Sequence, residues 1–283
     1  MLDSANNYKA LFAERRVSKS MKQALYDSIG VDYNRTRTAD PFLAGRLVSL
    51  MSPRENSRIL DIGCGTGNYT VALVEHGYSF CGVEPSETMI EQARRKSDSI
   101  VWTQAAAEEL PFEKEFFGAA MATLTIHHWK NLEKGFAEIH RVLKKESNFV
   151  IFTSYPEQTG NYWLKHYFPV MLKDSMAVLP EREKLLTALE SAGFIVAAEE
   201  KYFVRPDLQD LFLYSGKQRP ELYLNAQVRN GISSFSALSN KHEVETGLQK
   251  LSDDLKNGNF AEIARKYESD SGDYCFIVAT KLS

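Results

Sequence analysis

Residues 59–67 read Ile-Leu-Asp-Ile-Gly-Cys-Gly-Thr-Gly, and no other stretch constrains the fold as tightly. A short apolar run carries Asp61 near its end, and three glycines follow at alternate positions, Gly63, Gly65 and Gly67. Asn68-Tyr69-Thr70-Val71-Ala72-Leu73-Val74 can then start a helix. Strand, tight glycine turn and helix make the opening of a nucleotide-binding α/β unit. Glycine lets the backbone turn sharply and lets a ligand approach without meeting a Cβ. Dinucleotide sites space their glycines as G-x-G-x-x-G. Here the sixth position is Asn68, and the third glycine stands one place earlier.

A second acid closes the next apolar run. Residues 79–83 read as a buried strand that Glu84 ends, about twenty residues past the loop, where a dinucleotide fold places a carboxylate for ribose hydroxyls. Pro85-Ser86-Glu87-Thr88-Met89 begins a helix, with Ser86 as its N-cap and Met89 able to pack on an adenine face. Further strands are expected over 100–103, 117–124 and 147–153, and an amphipathic helix over 132–143 with Phe136, Ile139 and Leu143 on one stripe. A helix over 181–192 closes at Gly193, a sixth strand begins over 194–198, and 274–279 is strongly strand-like.

The octet Leu60-Asp61-Ile62-Gly63-Cys64-Gly65-Thr66-Gly67 resembles the first motif of class I S-adenosylmethionine-dependent methyltransferases. Ala106-Ala107-Glu108-Glu109-Leu110-Pro111-Phe112 resembles the D-A-E-x-L-P-F segment of the type 11, ubiquinone/menaquinone-biosynthesis-like group of these enzymes. That group's acid, which hydrogen-bonds the adenine amino group, falls on Ala106. The contact is therefore expected from the backbone of Ala106 and Ala107, or from Glu108. The group begins its fourth strand with Phe-Asp; Gly118 replaces the acid here. Thr123 and Leu124, with Thr125-Ile126-His127-His128 after them, stand where the group's residues approach the methionine part of the cofactor. Residues 26–37 resemble the Y-D-x-x-A-x-x-Y-x-x-x-R lead-in of related small-molecule enzymes, which would put Tyr33 over the methionine end and Arg37 on a carboxylate. Cys64, Asn68, Tyr69, Pro85 and Ser86 complete the expected cofactor contacts.

The resemblance covers roughly residues 56–153. It implies a Rossmann-like α/β fold, a seven-stranded doubly wound sheet with its last strand antiparallel, and S-adenosyl-L-methionine as cofactor. The implied reaction is methyl transfer to a small-molecule O, N or C nucleophile, and it needs no metal. His127 and His128 are the candidate bases for an acceptor that must lose a proton; His166 and Tyr33 are weaker alternatives. Two rival readings stay open: a non-catalytic binder of the same cofactor, and an NAD-dependent oxidoreductase, which the glycine spacing opposes.

Four segments are expected. Residues 1–55 form a helical lead-in over the cofactor, 56–204 the core, 205–268 a helical cap and 269–283 the final strand of the core. Tyr162, Trp163, Tyr167 and Phe168 follow the fifth strand, and Phe212, Tyr214 and Tyr223 lie in the cap segment. Together they are expected to form an apolar roof over the acceptor. A net charge of −3 without a long basic run disfavours a nucleic-acid partner. Arg15-Arg16 and Arg94-Arg95-Lys96 read as solvated helix faces. No apolar run reaches the roughly eighteen residues of a membrane span, and the N-terminus lacks the form of a signal peptide. Three cysteines without C-x-x-C spacing suggest reduced thiols in the cytoplasm. A monomer or homodimer is expected.

Overall fold

The computed structural model describes residues 36–282. The lead-in up to residue 35, with Tyr33 and the Arg15-Arg16 pair, lies outside the described residues. Seven strands, β1 (Arg58–Ile62), β2 (Ser79–Glu84), β3 (Val101–Gln104), β4 (Ala119–Thr123), β5 (Ser147–Thr153), β6 (Ile195–Tyr202) and β7 (Tyr274–Lys281), join in one sheet. Their order is β3-β2-β1-β4-β5-β7-β6. The pairs among β1 to β5 are parallel, and β7 runs antiparallel to both of its neighbours. This is the expected doubly wound sheet.

Alternation along the strands makes two cores. Ile59, Met121, Val150 and Phe152 face one apolar layer, while Leu60, Ala120, Phe149 and Ile151 face the other. On the first face lie α1 (Pro41–Met51) and α2 (Asn68–Val74); on the second lies α4 (Leu132–Val142), and α3 (Glu87–Lys96) follows β2. Asp40 caps α1, its Oδ1 accepting the Leu43 N–H at 3.0 Å. Asn131 caps α4 through the Lys134 N–H at 2.8 Å. The buried Lys281 donates to the carbonyls of His140 and Leu143 at the end of α4, both at 2.8 Å.

One boundary differs from expectation, and the structure sets a second that the sequence left open. Before β4, Phe117 makes only an isolated bridge to Leu143, and a Cβ on Gly118 would come within 2.5 Å of Ser57 Oγ. Ser57 thus fills the space of the acid that the resemblance leads one to expect there. β6 runs on to Tyr202 because its outer pairing with β7 tolerates charged side chains that point outward. Glu199 meets Arg182, and Glu200 meets Arg46.

After β5 come α5 (Pro156–Gly160), α6 (Leu164–Tyr167), α7 (Pro169–Ala177) and α8 (Arg182–Ser191). Gly193 follows α8 at φ +96°, as a closing glycine should. The segment between β6 and β7 holds α9 (Ala226–Asn230), α10 (Lys241–Lys256) and α11 (Phe260–Arg265). The two aromatic segments do meet. Tyr162 stacks on Tyr214 with ring centroids 3.8 Å apart, and Trp163 sets its edge against Tyr223 and Phe260. However, Tyr162, Trp163, Tyr167, Phe168, Phe212, Tyr214 and Tyr223 are all buried in one cluster with the sheet. They fill their own space: the rings expected as an apolar roof over the acceptor pack as a core. Among the described residues no helix is long and apolar enough to cross a membrane.

Candidate active site at the glycine loop

The loop leaves β1 between two buried acids. Asp61, 2 % exposed, accepts a hydrogen bond from Thr70 Oγ1 at 2.6 Å. Burial pushes its carboxyl up to about 7; the Thr70 bond opposes this and the nearby Glu84 charge adds to it. Glu84 ends β2 beside the loop. Its Oε2 accepts the Gly65 N–H at 3.2 Å and its Oε1 the Ser86 N–H at 2.9 Å. Burial raises its pKa, against the pull of those two N–H groups. The Gly63 and Cys64 N–H groups both donate to the Val83 carbonyl, at 2.7 and 3.0 Å. Burial also pushes the Cys64 thiol up, and Asp61 and Glu84 add to the effect.

The glycines do different work. Gly65 sits at φ +55°, and a Cβ built on it would meet nothing closer among the described residues than Met89 Sδ at 3.9 Å. Its face is open, as a ligand cradle requires. Gly67, at φ +76°, caps α2, and a Cβ there would strike the Trp102 ring at 2.4 Å. Its role is packing.

Of the candidate cofactor residues, Arg37, Asp61, Gly63, Cys64, Gly65, Asn68, Tyr69 and Thr123 line one cavity, together with Thr38, Thr66 and Asp210, which were not foreseen. Thr123 Oγ1 is buried there and meets no hydrogen-bond partner among the described residues. Arg37 does pair a carboxylate, but that of Asp210, with Nε–Oδ1 at 2.5 Å. Tyr69 Oη donates to the same carboxylate at 3.2 Å, and Asn68 Nδ2 donates to the Arg37 carbonyl at 2.6 Å. Asp210 belongs to a strap from the segment after β6. The Gln209 N–H donates to Asp40 Oδ2 at 2.9 Å, and the Leu211 N–H to the Thr36 carbonyl at 3.1 Å. Lys96, on the solvated face expected of it, is exposed and reaches Thr66 Oγ1 at 3.0 Å and also donates to Asn68 Oδ1; partial desolvation of its ammonium group pulls its pKa down to about 8.

The other expected residues flank the cavity. Ser86 caps α3, accepting the Met89 N–H at 3.4 Å; Met89 is buried beneath the loop, and Pro85 is exposed. The Ala106 carbonyl accepts the Glu109 N–H in a turn, and Ala107 packs among the core residues under α4. Glu108 turns its carboxylate onto the N–H groups of Lys130 and Asn131, at 2.5 and 3.0 Å. Leu124 takes φ +50° directly after β4. His127 and His128 follow in a 3-10 turn, with ring centroids 3.9 Å apart; His127 is half-buried and His128 exposed.

Of the unforeseen residues, Asp210 had one faint sequence sign, an acid set directly before the apolar run Leu211-Phe212-Leu213. Lys96 had none beyond its place at the end of α3.

A doubly wound sheet with β7 antiparallel, whose first loop is held by the terminal carboxylate of the second strand, is the nucleotide-cofactor core of class I methyltransferases. Comparison with known proteins agrees. The family described as "Methyltransferase domain" matches residues 60–151. A putative methyltransferase from an antibiotic biosynthesis pathway of Anabaena variabilis is 36 % identical and superposes with a TM-score of 0.78, over 87 % of this chain and 99 % of that one. Demethylmenaquinone methyltransferase of Clavibacter sepedonicus is 27 % identical over 198 residues, 60 % of this chain and 81 % of the relative. Geranyl diphosphate C-methyltransferase of Streptomyces coelicolor A3(2), solved with S-adenosyl-L-homocysteine, shares the fold at 15 % identity and a TM-score of 0.54, over 85 % of this chain and 75 % of that one. The chain belongs to the methyltransferase family and is an S-adenosylmethionine-dependent methyltransferase.

Proposed function

We propose that the chain binds S-adenosyl-L-methionine along the glycine loop and directs its methyl group to a small-molecule O, N or C nucleophile. One observation carries the reading. The Glu84 carboxylate holds the Gly65 N–H at 3.2 Å beside a glycine whose outer face is open. A carboxylate there can accept from both ribose hydroxyls in charge-assisted bonds.

Bound there, the cofactor supplies an electrophilic methyl group on a sulfonium. Gly63, Cys64 and Gly65 offer backbone, Glu84 takes the ribose, and Met89 backs the adenine, with Pro85 and Ser86 at its edge. Glu108 is engaged with the start of α4, so the adenine edge is left to the backbone of Ala106 and Ala107. Asp61, Asn68, Tyr69, Thr123 and Leu124 surround the methionine end. Thr123 Oγ1, which meets no partner among the described residues, and the face of Gly65 that is open among them both fit this group. The chain's main tasks are to align donor and acceptor and to exclude water. His127 or His128 removes a proton where the acceptor carries one. Relatives named demethylmenaquinone methyltransferase support a small-molecule acceptor, and three free cysteines support a cytoplasmic setting.

Calorimetry with S-adenosylmethionine, S-adenosylhomocysteine and NAD tests the cofactor, and transfer of labelled methyl groups into a metabolite extract tests turnover. Binding of NAD alone would overturn the reading. Cofactor binding without label transfer under any condition would point to a non-catalytic binder.

A further inference from the structure

A second cavity, of about 190 Å³, lies at the other end of the sheet, where β1, β4 and β5 begin. Residues 54–57, Gly118, Lys144, Lys145 and Ser147 line it. Asp61 and Thr123 sit toward the far ends of β1 and β4, so the glycine-loop site does not reach it. Lys144 and Lys145 are exposed and form no salt bridge among the described residues. Arg54 pairs with Glu146, but the two side chains are 73 % and 70 % exposed, so water already weakens that pair. Glu55 is the one acid among the described residues of the lining. Gly118 keeps the floor clear: a Cβ there would come within 2.5 Å of Ser57 Oγ, and no acid stands at that place to offset the lysines. Ser147, 5 % exposed, brings a second hydroxyl to the wall. Neither serine hydroxyl is hydrogen-bonded to a described residue.

We propose that this cavity is a binding site for a phosphate group, with Arg54, Lys144 and Lys145 meeting its charge and Ser57 and Ser147 donating to its oxygens. The site is separate from methyl transfer and does not rest on it. β4 lies between β1 and β5 in the sheet, so the donors before β1 and those before β5 flank Gly118 from two sides. A carboxylate has two oxygens in one plane and a single charge. A phosphate group has at least three free oxygens set in a tetrahedron and close to two charges, enough to engage both sides at once. A guanidinium fork matches phosphate oxygens, and lysine ammonium groups act as point charges toward them. Exposed cations alone hold an anion weakly in salt. The buried Ser147 adds a fixed donor that a solvated patch lacks. The room is several times the share of about 30 Å³ that a water takes in the liquid, so the phosphate can be a free ion or the end of a small organic molecule.

The test is calorimetry on the full chain with inorganic phosphate and with glycerol 3-phosphate, at an ionic strength held constant with sodium chloride. Each titration is repeated with S-adenosylhomocysteine present. The parent should bind saturably, and its melting temperature should rise as phosphate is added. The double variant Lys144→Gln/Lys145→Gln should lose about tenfold or more in affinity, the scale of hydrogen bonds to charged groups. Lys144→Arg/Lys145→Arg should keep most of it, which a merely structural role for the lysines would not require. Ser147→Ala should lose about threefold or more, the scale of a single net hydrogen bond. Tighter binding of glycerol 3-phosphate assigns the site to a phosphorylated metabolite, and equal or weaker binding assigns it to the free ion. No saturable binding of either probe, or equal affinity in the parent and the Lys→Gln variant, overturns the proposal. So does competition by S-adenosylhomocysteine, which would put the phosphate at the glycine loop. Should S-adenosylhomocysteine itself fail to bind, the cofactor reading falls and the phosphate result stands.

Discussion

Glu84 and Gly65 are joined across the opening of the site, the carboxylate of one accepting the backbone N–H of the other at 3.2 Å. The same carboxylate holds Ser86 N–H. Glu84→Ala therefore removes both a ligand contact and a brace on the loop. We expect a loss of about 1.5–3 kcal/mol in affinity for S-adenosylhomocysteine. Glu84→Gln keeps an acceptor and should lose less. Parent-like binding by both variants in calorimetry would take Glu84 out of the site.

Gly65 and Gly67 should separate binding from folding. Gly65→Val places a branched side chain on the open face, and its positive φ adds strain of about 1–3 kcal/mol. Cofactor binding should vanish while the sheet persists by circular dichroism. Gly67→Ala drives a Cβ into Trp102 and should lower the melting temperature instead. If Gly65→Val still binds S-adenosylhomocysteine, the open face is not the cradle.

Asp61 gives the stability a pH signature. Its carboxyl holds a proton up to about 7 when folded, against an ordinary value near 4 when unfolded. Protonated Asp61 thus favours the folded chain. That contribution is complete below about pH 4 and is lost as pH rises to about 7, with a slope of at most about 1.4 kcal/mol per pH unit. Urea titrations of the parent and Asp61→Asn across this window should diverge progressively, with the parent falling relative to the variant. Parallel curves would contradict the buried, mostly neutral acid.

Trp163 tests the aromatic cluster. It is 1 % exposed and wedged among Tyr167, Tyr223 and Phe260. Trp163→Ala should cost about 3–5 kcal/mol of stability, the range for a large buried ring. A cost below about 1 kcal/mol, with turnover abolished, would return the ring to an acceptor pocket.

His127→Ala and His128→Ala separate the two imidazoles. The residue that serves as base should lose about a hundredfold or more in turnover while its affinity for S-adenosylhomocysteine is kept. Full turnover in both variants and in the double variant would show that the acceptor needs no base from this turn.

The half of the site carried by β1, β2 and the loop was legible because its determinants are local. Asp61, the alternate glycines, Glu84 and the Ser86 cap lie within one strand-turn-helix-strand stretch, where spacing dictates geometry. Asp210 was not legible, because its partner Arg37 is 173 residues away in sequence and only the packed strap brings them together. The meeting of the two aromatic segments could be read, but not that the rings would fill the space between them. That depends on ring-to-ring packing, such as Tyr162 on Tyr214. Only the beginning of β6 could be read, because Glu199, Glu200 and Lys201 do not look like a strand until partners such as Arg182 and Arg46 are known. The contacts of Lys96 were not legible for a similar reason: a solvated lysine at a helix end shows no partner until the loop it reaches is in view.

The position of β7 imposes an order of assembly. It is the latest of the seven strands in the chain, yet it lies between β5 and β6. Among the described residues β6 has no other neighbour in the sheet, so it cannot join until β7 has been laid down against β5. During synthesis, β5 would carry an open edge while more than a hundred following residues leave the ribosome, and the Arg37–Asp210 strap would lack its fixed base throughout. Anything that delays or shortens this strand leaves the edge of β5 open and β6 unpaired in the sheet, exposed backbone of the kind that invites self-association. The buried Lys281, tied to the end of α4, then acts as the latch that shows the sheet has closed.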